Sequence, residues 1–501
     1  MKDFYSLQNI ENLPPKEEKM VQDLITVWEL KRGKNQKRID YYLGHNDLKN
    51  LGISIPPEME NKLNENIGWA QKAVNALANR SKFDGVVFES GQNEDLDNCL
   101  IVNNFKNLYE QAVRSQLINS CSFLTVSRGS EGEPKALINA YSALTASAMW
   151  DTRRKRIKCG ITIVECDEDP RHALDEPIWV NLYTDTHVWE IKRADTSSPW
   201  IATPYEHKMG RPLIEPMVYQ QELLRPFGRS RISRAVMSIV DNAIRTLARA
   251  ELSAEFFSRP QRYLLGADED TFNDQSKWEA YTGVIFAVSK DGDGETPQYG
   301  QLNAQSMQPH LDQLRSLAAQ FAGETNVPIA ELGVIHDNPS SAQAIYASKE
   351  PLIIEAENLN QSNGEALKNI MRMVLAILQD KALSELDPSD TRLQPLFRNP
   401  ARASMAEETD SAQKQCSFME WFKYSDVCLE KLGYNDGERV RMKADRDKYQ
   451  VKQAILQQMA EGATGDDSIE TANNSGGERS GQPNSVNEEI NPSGVGEPQN
   501  Q

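Results

Sequence analysis

One stretch of the chain, from Gly228 to Gln343, constrains the fold more than any other because its pattern sets the order of several elements. Two segments with helical periodicity flank an insert rich in β-branched and aromatic residues, and a proline-marked loop and a long helix follow. The first helix, of about 30 residues at about 1.5 Å each, would form a rod of roughly 45 Å. The insert, about 45 residues carried on paired helices, is expected to project from the body of the protein. This order of helix, insert, helix, loop and long helix indicates a component of a larger molecular machine.

The first helix of this stretch has Ser230 as its expected N-cap and Pro260 just past its end. Its apolar residues recur at spacings of three and four, which places them in one stripe: Ile232, Val236, Ile239, Ala243, Leu247, Ala250, Ala254 and Phe257. Four arginines fall together on a face away from that stripe: Arg231, Arg234, Arg245 and Arg249. We expect the arginine face to be an outward or intersubunit face.

The second helix repeats the apolar pattern and ends at Gly323. Pro309 fits only in its first turn, so the regular part is expected to start close to His310. Its stripe contains Met307, Leu311, Leu314, Ala318 and Phe321.

The insert and the loop have their own signals. Tyr263–Leu265 and Val284–Val288 are short runs typical of strands. After the second helix, Pro328 and Pro339 bracket a loop, and Ser340 or Ser341 can cap the following helix. Pro351 lies inside that helical pattern and is expected to kink it.

The rest of the chain predicts an α+β protein that is mainly helical. Helices are expected near the N-terminus, with Gly44 ending one of them, and around residues 66–79 and Phe105–Leu117. A β-rich meander is predicted from Ser122 to about Lys192, and further helices from about Met405 to Leu432 and from about Asp436 to Met459. The basic run RRKRIK at residues 153–158 is interpreted as a solvated hairpin tip in preference to a nucleic-acid contact.

Composition narrows the class of protein. The 501 residues exceed the size at which a single core keeps growing, so two or more core-bearing regions are expected. No apolar run reaches the ~18 residues of a membrane span and the N-terminus lacks a signal-peptide core, so we expect a soluble protein made and used in a cytoplasm, with no membrane partner. The six cysteines contain no CxxC pair and are expected to be reduced, buried thiols.

Charge and motifs give little support for enzyme chemistry. A net charge of −18 argues against a protein that grips DNA phosphates, since such proteins depend on concentrated Lys and Arg. The nucleotide-binding motifs GxxxxGK[ST] and GxGxxG after a strand do not occur, nor do HExxH and GxSxG, and the six histidines are scattered. We therefore expect no catalytic residues, no metal site and no cofactor.

Several segments resemble the portal proteins of tailed double-stranded DNA bacteriophages, in the branch typified by the long-tailed Bacillus phages. The resemblance is carried by an ordered set of segments, none of which is a catalytic signature. They are YYLGHNDLKNLGI (41–53), NRSKFDGV (79–86), FGRSRISRAV (227–236), FFSRPQRYLLG (256–266) and SSAQAIYASKEPLI (340–353). Together they span roughly residues 20–380 in the order of the family.

The resemblance implies a ring-forming portal fold with wing, stem, clip and crown regions. Its regions map onto this chain as a wing (1–228), a first stem helix (229–258), a clip (259–305), a second stem helix (306–323), a tunnel loop (324–341), a long kinked helix (342–381) and a helical crown (382–461). Residues 462–501 lack aromatic residues and are rich in Gly, Ser, Asn, Pro and acidic residues, so their composition predicts a disordered acidic tail. After Asp380 no specific motif supports the mapping.

The resemblance also implies site residues and partners. His336, Asp337 and Asn338 near the tip of the tunnel loop are expected to lie close to DNA. The other candidates are channel-lining residues of the second stem helix, Gln308, Asp312, Arg315 and Gln320, and clip contacts, Lys277, Trp278 and Lys290. The implied assembly is a homo-oligomeric ring of about twelve subunits at one capsid vertex of the virion, assembled in the host bacterial cytoplasm. Implied partners are double-stranded DNA, the terminase large subunit, head-completion or connector proteins, and the major capsid and scaffold proteins.

Two alternatives from other classes stay open at this point. One is a DNA-processing enzyme of the packaging module, such as a nuclease or nucleotidyl transferase. The other is a non-catalytic scaffold or adaptor protein of the virion.

Overall fold

The computed structural model describes residues 7, 9–47, 65–89, 93–166, 177–195, 198–258, 262–265, 298–301, 306–333, 342–401, 405–419, 421–434 and 436–463. The chain divides into two compact units, Met1–Arg402 and Ala403–Gln501, called here the first and second units. Helices predominate and sheets are present in the first unit, so the predicted class, α+β and mainly helical, is confirmed.

The first unit begins with helices. These are α1 (Pro15–Leu43), α2 (Trp69–Ala78), α3 (Glu94–Val102) and α4 (Phe105–Asn119), with strand β1 (Phe83–Phe88) between α2 and α3. The helix α1 is continuous over 29 residues, and Gly44 ends it in a left-handed conformation with φ of 73°, as predicted. Asn93 caps α3 because its side chain accepts a hydrogen bond from the backbone N–H of Leu96.

Two antiparallel sheets follow. Their strands are β2 (Cys121–Arg128), β3 (Ala136–Ser142), β4 (Ala146–Asp151), β5 (Arg156–Cys166), β6 (Pro177–Tyr183), β7 (His187–Lys192), β8 (Ile201–Glu206) and β9 (Ile214–Val218). The first sheet has the order β3-β2-β9, and the second is a five-stranded meander in the order β4-β5-β6-β7-β8. The single meander predicted from Ser122 to about Lys192 is therefore divided between two sheets. The five-stranded one extends beyond Lys192 by one strand, and β9 returns beside β2.

The run RRKRIK forms the expected hairpin tip. The turn between β4 and β5 is stabilised by Asp151, whose carboxylate accepts hydrogen bonds from the backbone N–H groups of Arg153 and Arg154 at 2.9 and 3.0 Å. The side chains of Arg154 and Arg156 donate to Asp185 at 3.2 and 3.3 Å. Two of the basic side chains are thus paired with the neighbouring turn between β6 and β7, within the same sheet.

The stretch from Gly228 to Gln343 contains two helices, a strand pair between them and the start of a third helix, in the predicted order but with shifted ends. The structure has α5 (Arg234–Ser258), the strand pair β10 (Arg262–Leu265) and β11 (Gln298–Gln301), α6 (Gln308–Thr325), a short 3₁₀ turn (Ile329–Leu332) and α7 (Ala342–Leu378). The second predicted strand of the insert, Val284–Val288, lies outside the described residues. The whole of α7 is one helix of 37 residues that contains Pro351.

After α7 the chain stays in the first unit for some twenty residues, which differs from the predicted helical region at 382–461. A short helix α8 (Pro388–Thr391) precedes strand β12 (Leu393–Phe397), which pairs antiparallel with β1. Contacts between residues distant in sequence hold β12 in the first unit. Phe83 of β1 and Phe397 of β12 pack with Phe105 and Tyr109 of α4 in an aromatic cluster, with ring centroids 5.1–6.4 Å apart.

Two cores stabilise the first unit. The larger joins α2, α4, the three-stranded sheet, α5, α6 and α7, with Tyr109, Phe105 and Phe321 as the largest fully buried side chains. The smaller packs α1 against the five-stranded sheet and contains Leu24, Ile191 and Trp200.

The second unit is helical in its described residues. It comprises α9 (Met405–Phe418), a 3₁₀ turn (Phe422–Tyr424), α10 (Asp426–Lys431) and α11 (Asp436–Ala463). The helix predicted from about Met405 to Leu432 is therefore two helices, because Ser425 caps α10 and interrupts the run. Of the predicted acidic tail, residues from 464 onward lie outside the described residues.

Candidate functional site

The helices α5 and α6 form an antiparallel hairpin. Near its base, the hydroxyl of Ser233 donates to Glu324 at 3.1 Å, and further along it Ser253 and His310 make a side-chain hydrogen bond at 3.3 Å. Burial decreases toward the insert, since Phe321 is fully buried whereas Leu311 is 49% exposed. The hairpin is therefore embedded at its base and more exposed toward the β10–β11 end.

The base of α5 differs from its sequence interpretation. Ser233, not Ser230, caps the helix, because its hydroxyl accepts a hydrogen bond from the backbone N–H of Val236 at 3.1 Å. The Ser230 side chain is buried and donates instead to the carbonyl of Ile118 at the end of α4. The segment before the helix is thus fixed to the body of the first unit.

The apolar stripe of α5 is confirmed at its base and shifts further along the helix. Ile232, Val236 and Ala243 are buried as expected. Beyond them the buried side chains are Ile244, Ala248 and Leu252, whereas Leu247 and Ala250 are half-buried and Ala254 is exposed. The base of α5 packs against several elements, among them α1, where Tyr41 donates to Asp241 at 2.6 Å.

Gly228 permits the turn that leads into this segment. It has a φ of 65°, and a Cβ at this position would lie 2.0 Å from the carbonyl oxygen of Tyr219. The next residue, Arg229, donates its backbone N–H to the same carbonyl at 3.0 Å. Only glycine is compatible with so close an approach.

Arg231 lies at the centre of a buried hydrogen-bond network at the base of the hairpin. Its Nε donates to the carbonyl of Ala73 in α2 at 2.7 Å, and another of its nitrogens donates to the carbonyl of Thr325 at the end of α6. Nη1 donates to Tyr219 Oη at 2.9 Å and pairs with the Glu355 carboxylate in α7. One guanidinium therefore connects α2, the end of β9, α6 and α7.

The Glu355 carboxylate completes this network. It accepts hydrogen bonds from Tyr219 Oη and, at 3.3 Å, from the side chain of Asn326. Burial raises the pKa of Tyr219, which keeps its hydroxyl protonated as a donor. The ion pair is almost fully enclosed, with Arg231 and Glu355 side chains 3% and 14% exposed. We call Arg231, Tyr219 and Glu355 the junction triad.

The sequence interpretation of Arg231 was wrong. It placed Arg231 with Arg234, Arg245 and Arg249 on an outward or intersubunit face of the helix, but Arg231 precedes the helix and is buried within the first unit. The sequence did contain a signal for the correct start of the helix. Ser233 is a second possible N-cap after Ser230, and a helix capped by Ser233 begins after Arg231. The roles of Tyr219 and Glu355 had no local signal, because Glu355 lies 124 residues from Arg231 and Tyr219, 12 residues from it, precedes an intervening turn.

The end of α6 also differs slightly from expectation. Pro309 lies in the first turn, as predicted, but the helix continues past Gly323 to Thr325. Asn326 then adopts a left-handed conformation with φ of 55°, which ends the helix.

The N-terminal flank of the predicted tunnel loop packs on α2. Trp69 donates from Nε1 to the carbonyl of Leu332 at 3.2 Å, and its ring lies 5.5 Å from that of Phe321. Glu331 forms ion pairs with Lys72 and Arg80 at 3.6 and 3.8 Å. We call residues 326–333 the loop root, because they form the described N-terminal part of the predicted tunnel loop.

The four predicted channel-lining residues are all exposed on α6. Gln308 donates to Asp312 at 2.8 Å, and Arg315 lies 3.6 Å from the same carboxylate, so these three share one face of the helix. Gln320 is exposed at a different angle around the helix. Their channel-lining role stays a prediction.

The remaining predicted site residues lie outside the described residues. These are His336, Asp337 and Asn338 of the tunnel loop and Lys277, Trp278 and Lys290 of the clip. The kink expected at Pro351 likewise stays a prediction, although the proline lies one turn before Glu355 of the junction triad.

Metal-binding clusters and membrane-spanning helices are both absent from the described residues. No group of three or more His, Cys, Asp or Glu side chains among them could hold a metal ion. Among the same residues, no helix is both long and apolar enough to cross a membrane.

The comparison with protein families decides the identity at the level of the family. The family described as phage portal protein, SPP1 Gp6-like, matches residues 22–417. The chain belongs to this phage portal protein family. The resemblance noted from the sequence is thereby confirmed, and the function of the chain is that of a portal protein, in a family that is structural rather than catalytic.

Curated relatives agree with this assignment. The chain is 25% identical over 390 residues to the portal protein of Mycobacterium phage L5, covering 75% of this chain and 77% of the relative. It is 24% identical over 439 residues to the portal protein of Mycobacterium phage D29, covering 84% and 87%.

Solved structures with a similar course of the chain come from the neck of a GTA particle. One is from the native particle computed with C12 symmetry, with a TM-score of 0.38, 13% identity, and coverage of 76% of this chain and 94% of that one. Another is from the empty particle computed with C6 symmetry, with a TM-score of 0.39, 11% identity, and coverage of 73% and 90%.

Proposed function

We propose that this portal protein assembles into a ring of about twelve copies at one capsid vertex and forms the channel through which double-stranded DNA enters and leaves the virion. The family match over residues 22–417 carries the proposal. No catalytic role is part of it, and the free energy for DNA movement would come from a separate motor, the terminase.

The antiparallel hairpin supports the assignment of α5 and α6 as the two stem helices, with the segment between them as the clip. Its base is fixed in the core by the junction triad, and its far end carries the β10–β11 strands. Such a rigid rod can pack beside its copies around an axis. In this arrangement the clip would meet the terminase large subunit and the connector proteins, and the wing would meet the capsid and scaffold proteins.

Exposed apolar side chains support self-association in each unit. In the first unit, Leu223 and Leu224 are 98% and 94% exposed on a tight turn held by the bridge between Glu222 and Arg225. In the second unit, α11 exposes Val440, Val451 and Ile455. Covering a leucine side chain is worth about 1.5–3 kcal/mol, so a subunit interface would use these positions.

The predicted tunnel loop would place His336, Asp337 and Asn338 against DNA. The loop root supports this assignment, because Trp69 and the ion pairs of Glu331 fix the N-terminal flank of the loop on the first unit. The exposed face of α6 with Gln308, Asp312 and Arg315 is the proposed channel lining, with Gln320 at its margin.

Native mass spectrometry and negative-stain imaging of the purified chain test the ring. The expected result is a closed ring of roughly half a megadalton or more, as about twelve copies require. A chain that stays monomeric under all conditions, or a monomer that cleaves DNA with a metal ion, would contradict the proposal.

The loop assignment has its own test. Asp337→Lys is expected to leave ring assembly intact and to impair DNA packaging, because it adds a positive charge where the polymer passes. Glu131→Lys, in the exposed turn between β2 and β3, serves as a charge-matched control outside the predicted tunnel loop. Normal packaging by the Asp337→Lys ring would exclude the tunnel-loop role.

A further inference from the structure

Two cysteines of the second unit lie in contact across adjacent helices. Cys416 is near the end of α9 and Cys428 is in α10, and their Sγ atoms are 3.6 Å apart. A disulfide bond requires about 2.05 Å between the sulfurs. The remaining approach, about 1.5 Å, lies within what small side-chain rotations provide.

The local structure holds this pair in place. Ser425 caps α10 by accepting a hydrogen bond from the backbone N–H of Cys428 at 3.2 Å. Lys431 at the end of α10 donates to the side chain of Gln415, next to Cys416, at 2.8 Å. The cap thus fixes the start of α10, and the Lys431–Gln415 hydrogen bond links α10 to α9 beside the sulfurs.

The two thiols differ in accessibility. Cys428 is 3% exposed, whereas Cys416 is half-buried and can be reached from solvent. Burial raises the pKa of the Cys428 thiol, and the nearby Lys431 ammonium opposes that effect. An oxidant in solution would therefore meet Cys416 first.

We propose that Cys416 and Cys428 form a reversible disulfide that links α9 to α10 when the protein meets a small-molecule disulfide oxidant. The contact between the two sulfurs, their unequal exposure and the fixed placement of the two helices carry this proposal. Nothing in it depends on ring formation or on DNA.

The reaction is a pair of thiol–disulfide exchanges. The Cys416 thiolate attacks one sulfur of the oxidant, forms a mixed disulfide and releases one thiolate. The Cys428 thiol then loses its proton, and its sulfur attacks Cys416 Sγ and releases the second thiolate. The two cysteines lose two electrons, the oxidant gains them as two thiols, and the two cysteine protons end on those thiols.

The covalent link would matter because the second unit has little apolar core. Among its described residues, only Ala412, Phe422 and Cys428 are buried apolar side chains. Small units with few buried side chains depend on additional constraints, and a disulfide restricts the unfolded chain. Reducing compartments keep such cysteine pairs as free thiols, and oxidising compartments allow the disulfide to form.

The test uses the full-length chain incubated with oxidised glutathione, then quenched with an alkylating reagent and mapped by peptide mass spectrometry. We expect one intramolecular cross-link between the peptides of Cys416 and Cys428, reversed by dithiothreitol. In Cys428→Ser, a stable glutathione adduct should accumulate on Cys416. The matched control Cys166→Ser, at the other half-buried cysteine, should retain the cross-link.

A second measurement needs no variant. In the native, reduced wild-type chain, iodoacetamide should label Cys416 faster than Cys428, and prior oxidation should protect both. Retention of both free thiols at a glutathione potential that oxidises exposed model dithiols, or a link only between different chains, would overturn the proposal. A glutathione adduct that persists on Cys416 of the wild type would overturn it as well.

Discussion

Arg231 shows how much one side chain at the base of the hairpin can contribute. It is enclosed and bonded to two carbonyls, a tyrosine and a carboxylate from separate elements. Removing one partner of a buried ion pair leaves an uncompensated charge, which typically costs about 3–5 kcal/mol. Arg231→Met is therefore expected to lower the free energy of unfolding by this amount, measured by denaturant titration of the first-unit transition.

The control for this variant is Arg234→Met, an exposed arginine three residues later, for which we expect a change within about 0.5 kcal/mol. Replacing both partners, in Arg231→Met with Glu355→Met, should recover part of the loss, since no charge is then left unpaired. Equal midpoints for Arg231→Met and Arg234→Met would show that the junction triad contributes nothing to stability.

Glu215 of β9 is expected to make the stability of the first unit depend on pH. It lies beside Arg211 and accepts a hydrogen bond from Asn369 of α7 at 2.8 Å, yet burial raises its pKa above the ordinary 4.5. A raised folded-state pKa adds stability below the ordinary value, and that contribution is lost as the pH rises through the folded-state pKa. The melting temperature of the wild type relative to Glu215→Gln should therefore fall as the pH increases.

Melting curves from about pH 4 to about pH 8 check this expectation. The exposed Glu365→Gln serves as the control for the loss of one negative charge. A wild-type advantage over Glu215→Gln that grows with pH would contradict the assigned direction and would indicate that Arg211 outweighs burial.

Among the elements, α2 is the support of the loop root. Trp69→Phe keeps a ring against Phe321 and removes the hydrogen bond to Leu332. We expect a cost of about 1 kcal/mol in stability and a clear acceleration of amide hydrogen exchange at residues 329–333. Trp421→Phe, an exposed tryptophan of the second unit, should leave that exchange unchanged. Unaltered exchange in Trp69→Phe would show that Trp69 does not hold the loop root.

Elements with a strong local pattern were predictable from the sequence, and those defined by distant partners were not. Pro309 and the apolar spacing located α6, and the charges of RRKRIK fitted a hairpin tip. Strand β12 was missed because its structure depends on pairing with β1 some 300 residues earlier. Arg231 was misplaced for the same reason, since its partners Tyr219, Thr325 and Glu355 come together only in the folded chain.

At the scale of the whole molecule, the division at Arg402 has a consequence for stability. A chain of residues 1–402 contains both cores of the first unit and should unfold cooperatively, with the same midpoint as the corresponding transition of the full chain. Residues 1–391, which lack β12, should be markedly less stable because β1 loses its partner and Leu393 leaves the core. Calorimetry of the three chains compares them directly, and a non-cooperative transition in 1–402 would contradict the division.

The pairing of β1 with β12 also affects when the first unit can finish folding during translation. A ribosome adds about 5–20 residues per second, so roughly 15–60 seconds separate the synthesis of the two strands. During that interval the edge of β1 has no β12 to pair with, and the rings of Phe83, Phe105 and Tyr109 lack their contact with Phe397. Nascent chains that stall before residue 397 would present this unfinished surface to chaperones or to one another. Completion of the first unit is therefore tied to the synthesis of residue 397, at about four-fifths of the chain, so association that needs the finished first unit cannot begin earlier.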